Sequence, residues 1–247
     1  MKYRPSLWVV SAARACVCVR WHCLHMTSAP PYSAAEYWEQ RYIDRPTQET
    51  FEWYGDLATF EAPILSVLPS ADTLILHIGS GNSKLPEQLW EHGFRHQLAS
   101  DVAPSAISRM RARCAHLEGL CWSVDDALSM SHPSCSIHVV IDKGTYDALS
   151  CDSCTARQLI VEVHRILKAG GVYVLISSLE STALAFGSPY WQPGEWDVRS
   201  EHADGGLRGG GWVHCATKRS TEGVSDPSSL QPCSHDCADE ETSLVDS

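Results

Sequence analysis

No stretch of this 247-residue sequence comes near the roughly 20 consecutive apolar residues that a membrane-spanning helix needs. Collagen-like and coiled-coil patterns are absent too, and no internal repeat is visible. Basic residues are few: 19 Lys and Arg stand against 30 Asp and Glu, a formal charge of −11. An acidic chain can still grip a polyanion locally, but this balance argues against nucleic acid or an anionic membrane as a partner. There is no G-K-[ST] phosphate loop, which excludes nucleoside triphosphate hydrolysis by that route. Cysteine, by contrast, is plentiful. The eleven cysteines are odd in number and irregular in spacing, a pattern of reduced intracellular thiols rather than a disulfide framework.

What is present is enough for one α/β domain with tails: 44% of residues are apolar and 20% charged. Charge is unevenly spread. Residues 1–35 hold Lys2, Arg4, Arg14 and Arg20 and no acid, while residues 220–247 hold seven acids and no Lys or Arg. The first segment reads as a disordered extension or as a mitochondrial transit peptide. From residue 201 on, the Gly- and Ser-rich acidic end reads as a tail, with one weak strand candidate at Gly211–Ala216. The organisation expected is thus an arm over 1–35, a domain over 36–200 and a tail over 201–247.

Within the domain, short apolar runs alternate with helical spacings. Leu74–Ile78, His96–Ser100, Leu120–Val124, Ile137–Ile141 and Val172–Ser177 read as strands. Lys84–His92, Pro104–Cys114 and Thr155–Leu167 read as helices, the second opened by proline and the first and third closed by glycine. Such alternation predicts a mostly parallel, doubly wound sheet, whose ligands bind beyond the carboxyl ends of the strands.

Residues of the right kind stand at those ends. The first strand runs into Gly79-Ser80-Gly81-Asn82, where glycine lets the backbone turn sharply and approach a ligand. Asp101 follows Gly81 by twenty residues, the place of a carboxylate that accepts ribose hydroxyls. Asp125 and Asp126 follow the third strand, placed to meet an adenine edge, and Asp142-Lys143-Gly144-Thr145 ends the fourth. Lys84 stands where a dinucleotide fingerprint wants a third small residue, so no pyrophosphate cradle is predicted. A ribose and adenine site with acidic Asp101, Asp126 and Asp142 suits the cationic sulfonium of S-adenosylmethionine.

The strings Leu74–Leu85, Asp142-Lys143-Gly144-Thr145-Tyr146-Asp147-Ala148-Leu149, Tyr37–Tyr42 and Phe51-Glu52-Trp53-Tyr54-Gly55 resemble seven-β-strand class I methyltransferases. More narrowly, they resemble the branch that holds the lysine methyltransferases of translation elongation factor 1-alpha and of mitochondrial citrate synthase. The resemblance covers about residues 36–200. It implies a Rossmann-like fold of parallel strands ended by an antiparallel hairpin, S-adenosylmethionine as methyl donor and a protein lysine as acceptor. Elongation factor 1-alpha in the cytoplasm is the first expectation; the mitochondrial enzyme, a small-molecule methyltransferase and an inactive homologue are the alternatives. It further implies that Gly79 and Gly81 line the methionine part of the donor, Asp101 holds the ribose and Asp126 the adenine. Arg41, Trp53 and Tyr54 would cover the cofactor.

For the chemistry, an acceptor lysine must shed its proton from an unperturbed pKa of about 10.4. Asp142 is the first candidate to line its channel, with Tyr146 beside it; a strand-end carboxylate bonded to backbone amides is the alternative role for Asp142. Lys143 is expected to pair with Asp142 or Asp147. His77 reads as a hydrogen-bonded core histidine. The cysteine clusters at 16–23, 151–154 and 233–237 are not assigned a metal. After residue 178 the family pattern thins, so an atypical C-terminal end is expected.

Overall fold

The computed structural model describes residues 31–45, 50–151, 153–180, 195–206 and 209–220. The amino-terminal arm up to residue 30, the acidic end from residue 221 and the cysteine clusters within them lie outside the described residues. The strands are β1 (Ile75–Ile78), β2 (Gln97–Asp101), β3 (Leu120–Val124), β4 (Ile137–Lys143), β5 (Leu167–Ser177), β6 (Trp196–Asp204) and β7 (Gly210–Lys218). The helices are α1 (Ala35–Asp44), α2 (Leu57–Leu65), α3 (Leu85–Glu91), α4 (Pro104–Arg113), α5 (Thr145–Leu149) and α6 (Ser153–Ile166).

Among the described residues the strands form one sheet in the order β3-β2-β1-β4-β5-β7-β6. The first five are parallel to one another, whereas β7 runs antiparallel to both β5 and β6. Side chains of a strand alternate between faces, and the two cores follow that period. Leu76, Ile78, Tyr173 and Leu175 face α6, whose Leu159, Ile160, Val163 and Ile166 are buried. Ile75, Val139, Ile141, Val174 and Ile176 face the opposite way, against Leu57, Phe60 and Ile64 of α2 and Leu85 and Leu89 of α3. A smaller cluster seats Ile107 and Met110 of α4 on Ala99, Leu120 and Trp122.

Each strand and helix expected between residues 74 and 177 is found, with ends shifted by a few residues. At the carboxyl-terminal end the strand candidate at Gly211–Ala216 is found within β7, but the expected boundary between domain and tail is not. β6 crosses the boundary drawn at residue 200, and β7 lies in the segment read as a tail. The hairpin completes the sheet because β7 inserts between β5 and β6, burying Val213, Cys215 and Ala216. The glycines before β7 have a packing reason: Gly209 has φ +111°, and a Cβ there would lie 2.7 Å from the carbonyl oxygen of Tyr54.

His77 is 3% exposed in β1, with Nε2 2.7 Å from Oε1 of Gln97. Gln97 in turn donates to the carbonyls of Pro86 and Phe94. Burial lowers the His77 pKa to about 4, so the ring is a neutral core group.

Candidate active site

The carboxyl ends of β1 to β4 border a cleft of about 790 Å³, counted out to its open mouth. At the end of β1 the chain turns through Gly79, at φ +54°, close against α5. A Cβ on Gly79 would overlap the hydroxyl of Thr145, which donates 3.1 Å to the carbonyl of Ile78. The turn is also tied to β2. Gly81 N donates to Oδ2 of Asp101 at 2.8 Å, while Oδ1 of Asp101 accepts from Ala103 N at 2.9 Å. Each carboxylate oxygen thus has a backbone partner, the amide of Val102 adds to them, and with several lone pairs the group keeps further acceptor capacity. Asp101 is 6% exposed, and burial raises its pKa to about 6 against the lowering pull of those amides.

Asp125 and Asp126 follow β3 and line the same cleft. Asp125 accepts from the amide and hydroxyl of Ser131, and Asp126 from the amide of Leu128 at 2.9 Å. The remaining wall comes from the amino-terminal segment. Glu39 of α1 accepts from the amide and hydroxyl of Ser105, and Arg109 of α4 donates to the carbonyl of Tyr42. This clasp lays Tyr32, Trp38 and Tyr42 along the cleft, where Trp38 meets Trp53 edge to face at 6.4 Å.

A second clasp holds the 51–55 segment. Glu52 accepts from Ser83 Oγ at 2.8 Å and Lys84 N at 2.6 Å, and it pairs with the ammonium of Lys143. Lys143 also donates to the carbonyl of Gly55. Its ion-pair partner is therefore Glu52, in place of the expected Asp142 or Asp147. Burial pulls the Lys143 ammonium below the usual lysine range, with Glu52 opposing the shift.

Of the residues singled out in the sequence, Trp53, Gly79, Asp101, Asp125 and Asp126 line the cleft; Arg41, Tyr54, Gly81, Asp142 and Tyr146 do not. Asp142 is fully buried and accepts from Thr145 N, Tyr146 N and the hydroxyl of Tyr173. The structure thus gives it the backbone-bonding role at the start of α5 rather than a place in an acceptor channel. Burial raises its pKa to about 7. Tyr146 is 4% exposed because it sits one residue, about 100° of helix, from Thr145; Thr145, Ala148 and Leu149 face the cleft while Tyr146 faces the core. The guanidinium of Arg41 lies 5.0 Å from the centre of the Phe51 ring and 5.9 Å from that of Trp38. The sequence reading missed Glu39, Tyr42 and Glu52. Glu52 stands inside a recognised string, but nothing local shows that it meets residues 83 and 143.

The cleft's chemistry fits an adenosylated sulfonium. It combines a glycine turn with no side chain to obstruct it, a buried carboxylate with spare acceptor capacity, two further carboxylates and an aromatic wall able to attract a cation. The sheet order, with its antiparallel last strand, and this cleft at the parallel strand ends define a class I methyltransferase.

Comparison with known proteins narrows the class. No family model matches the chain. It is 31% identical over 183 residues to EEF1A lysine methyltransferase 4 of Bos taurus, covering 70% of each chain. The Mus musculus protein of that name is 33% identical over 158 residues, covering 60% of this chain and 62% of the relative. The eEF1A lysine and N-terminal methyltransferase of Danio rerio is 31% identical over 198 residues, 79% of this chain but 26% of that protein. The chain thus spans less than two thirds of the mouse relative and about a quarter of the fish one. Among solved structures, Haemonchus contortus phosphoethanolamine N-methyltransferase 1, in complex with phosphoethanolamine and S-adenosylhomocysteine, matches with a TM-score of 0.54 at 15% identity. That match covers 78% of this chain and 51% of the other, and it speaks to the fold alone. The chain belongs to the eEF1A lysine methyltransferase family.

Proposed function

We propose that this chain is an S-adenosylmethionine-dependent protein-lysine N-methyltransferase that acts on translation elongation factor 1-alpha in the cytoplasm. The observation that carries the reading is Asp101, a buried carboxylate that fixes the glycine turn and borders an aromatic-walled cleft at the parallel strand ends. The names of the relatives, EEF1A lysine methyltransferases, support the acceptor. When bound, S-adenosylmethionine supplies an electrophilic methyl group.

The chain's own residues do the rest. Asp101 accepts the ribose hydroxyls, and the segment at Asp125 and Asp126 receives the adenine. The Gly79 turn admits the methionine part. Trp53 and Trp38 shield the cleft from water, and their ring faces favour a positive charge. Aligning nitrogen and methyl group is the main task, and well-oriented reactants save roughly 7–11 kcal/mol of barrier. The acceptor amine must arrive neutral, and its desolvation in the cleft lowers its pKa in the required direction.

The test is incubation of the purified chain with tritiated S-adenosylmethionine and a cell lysate, followed by mass spectrometry of the labelled band. Label on a lysine of elongation factor 1-alpha is the expected result; label in no protein band would sink the lysine assignment. Fusing residues 1–35 to a fluorescent protein tests the location, and import into mitochondria would count against the cytoplasm.

A further inference from the structure

Asp147 of α5 is a hub of hydrogen bonds with no role in the cleft itself. Its Oδ2 accepts from the hydroxyl of Tyr54, from Ser178 N at 2.9 Å and from Ser178 Oγ at 3.2 Å; its Oδ1 accepts from the hydroxyl of Ser177. Those donors come from the 53–55 turn, the last residue of β5 and the residue after it. The connection continues: Ser177 Oγ accepts from Leu179 N, the carbonyl of Leu179 meets Nε2 of His214 at 2.8 Å, and Nδ1 of His214 meets Ser200 Oγ at 2.9 Å. All four donors to Asp147 are neutral, and among the described residues no Lys or Arg lies within ion-pair distance of it.

Tyr54 supplies an independent observation. Its φ is +63°, in the left-handed region that non-glycine residues rarely occupy and keep only where their surroundings hold them. Burial, with Asp147 adding, raises the pKa of its hydroxyl, so that hydroxyl remains a donor. The ring packs over Gly144, and Trp53, the preceding residue, lies against the same glycine while lining the cleft.

We propose that Asp147 is a positioning residue for methyl transfer. Its hydrogen bond holds Tyr54 in the left-handed conformation and so seats Trp53 on the donor cleft. The same carboxylate fixes the chain leaving β5, so the cover of the donor and the neighbouring strand end are set against each other. This rests on the donor site proposed above. The role belongs to hydrogen-bond geometry rather than charge. An asparagine can accept from Tyr54 and Ser178 through Oδ1 and donate through Nδ2 to Ser177 Oγ, whereas alanine removes every contact.

The experiment measures calorimetric affinity for S-adenosylhomocysteine in the full chain, with thermal melting to establish that each variant folds. Tyr54→Phe and Asp147→Ala each weaken affinity roughly five- to tenfold, the loss that goes with about one hydrogen bond. The double variant binds no more weakly than Asp147→Ala alone. Asp147→Asn recovers affinity to within about threefold of the parent. Asparagine as weak as alanine, losses that multiply in the double variant, or a folded Asp147→Ala with parental affinity would each overturn the proposal. If Asp147→Ala does not fold, Tyr54→Phe and Asp147→Asn carry the test, and parental affinity in Tyr54→Phe overturns it. A parent chain without affinity removes the donor site and this inference together; a parent that binds beside unaffected variants removes the inference alone.

Discussion

Two buried aspartates, on the strands that flank β1, show how partners decide what a carboxylate does. Asp101 accepts from backbone amides and keeps acceptor capacity beside a cleft; Asp142 spends both oxygens on Thr145, Tyr146 and Tyr173 behind the cleft wall. On the proposed function, Asp101, with its pKa raised to about 6, would hold ribose hydroxyls best when ionised. Affinity for S-adenosylhomocysteine should therefore rise with pH through about 6 and level off above it. Asp101→Asn should bind more weakly and lose that rise, as calorimetry in a pH series would show. For Asp142 the raised pKa, from 3.8 to about 7, means that the folded chain holds a proton the unfolded chain has released across that interval. Its contribution to stability therefore falls as pH rises from about 4 to about 7. His77 and His164, both lowered to about 4, act in the opposite sense, so the comparison must be made with a variant. The melting temperature of the parent minus that of Asp142→Asn should decrease as pH rises through this window.

At the scale of elements, the site is made by short turns brought together by longer ones. The β1–α3 turn and the β4–α5 turn touch through Gly79 and Thr145, and that contact leaves no room for a side chain. Gly79→Ala would add a Cβ that overlaps the Thr145 hydroxyl and would strain a φ of +54° by roughly 1–2 kcal/mol. Its effect should fall on the ligand more than on the fold: a drop of about tenfold or more in S-adenosylhomocysteine affinity, with a shift of only a few degrees in melting temperature. Such turns were legible locally, because the glycines and the aspartate twenty residues on fall at strand ends at a recognisable spacing. The α1–α4 clasp and the Glu52–Lys143 pair were not. Their members are separated by 66 and 91 residues, and no spacing rule reaches that far. Tyr146 shows the opposite error, since its neighbourhood was read correctly and its direction wrongly. Only the phase of α5 decides that Thr145 and Ala148 meet the cleft while Tyr146 meets the core.

For the molecule as a whole, Lys218 adds a tie between the β6–β7 hairpin and the junction of α6 and β5. This residue is 8% exposed on β7 and donates to the carbonyls of His164, near the end of α6, and Leu167, the first residue of β5, at 2.7 and 2.8 Å. Lys218→Met keeps most of the volume but leaves two buried carbonyls without that donor. It should cost about 1–3 kcal/mol of stability, seen in urea as a lower midpoint with an unchanged slope. The hairpin is also the part of the fold with the weakest signal in the sequence. Its glycines and exposed β6 positions dilute the strand candidate at Gly211–Ala216, and only pairing of β7 with β5 makes Val213 and Cys215 core residues. The sequence by itself determined the alternating strands and helices, the parallel sheet and the glycine and Asp101 that mark the cleft, because hydrophobic period and strand-end chemistry are local. Tertiary structure decided which side chains reach the cleft, that Asp142 and Tyr146 turn away from it, and that the last two strands close the sheet. Those outcomes depend on contacts between residues far apart in the chain, which form only when the elements pack.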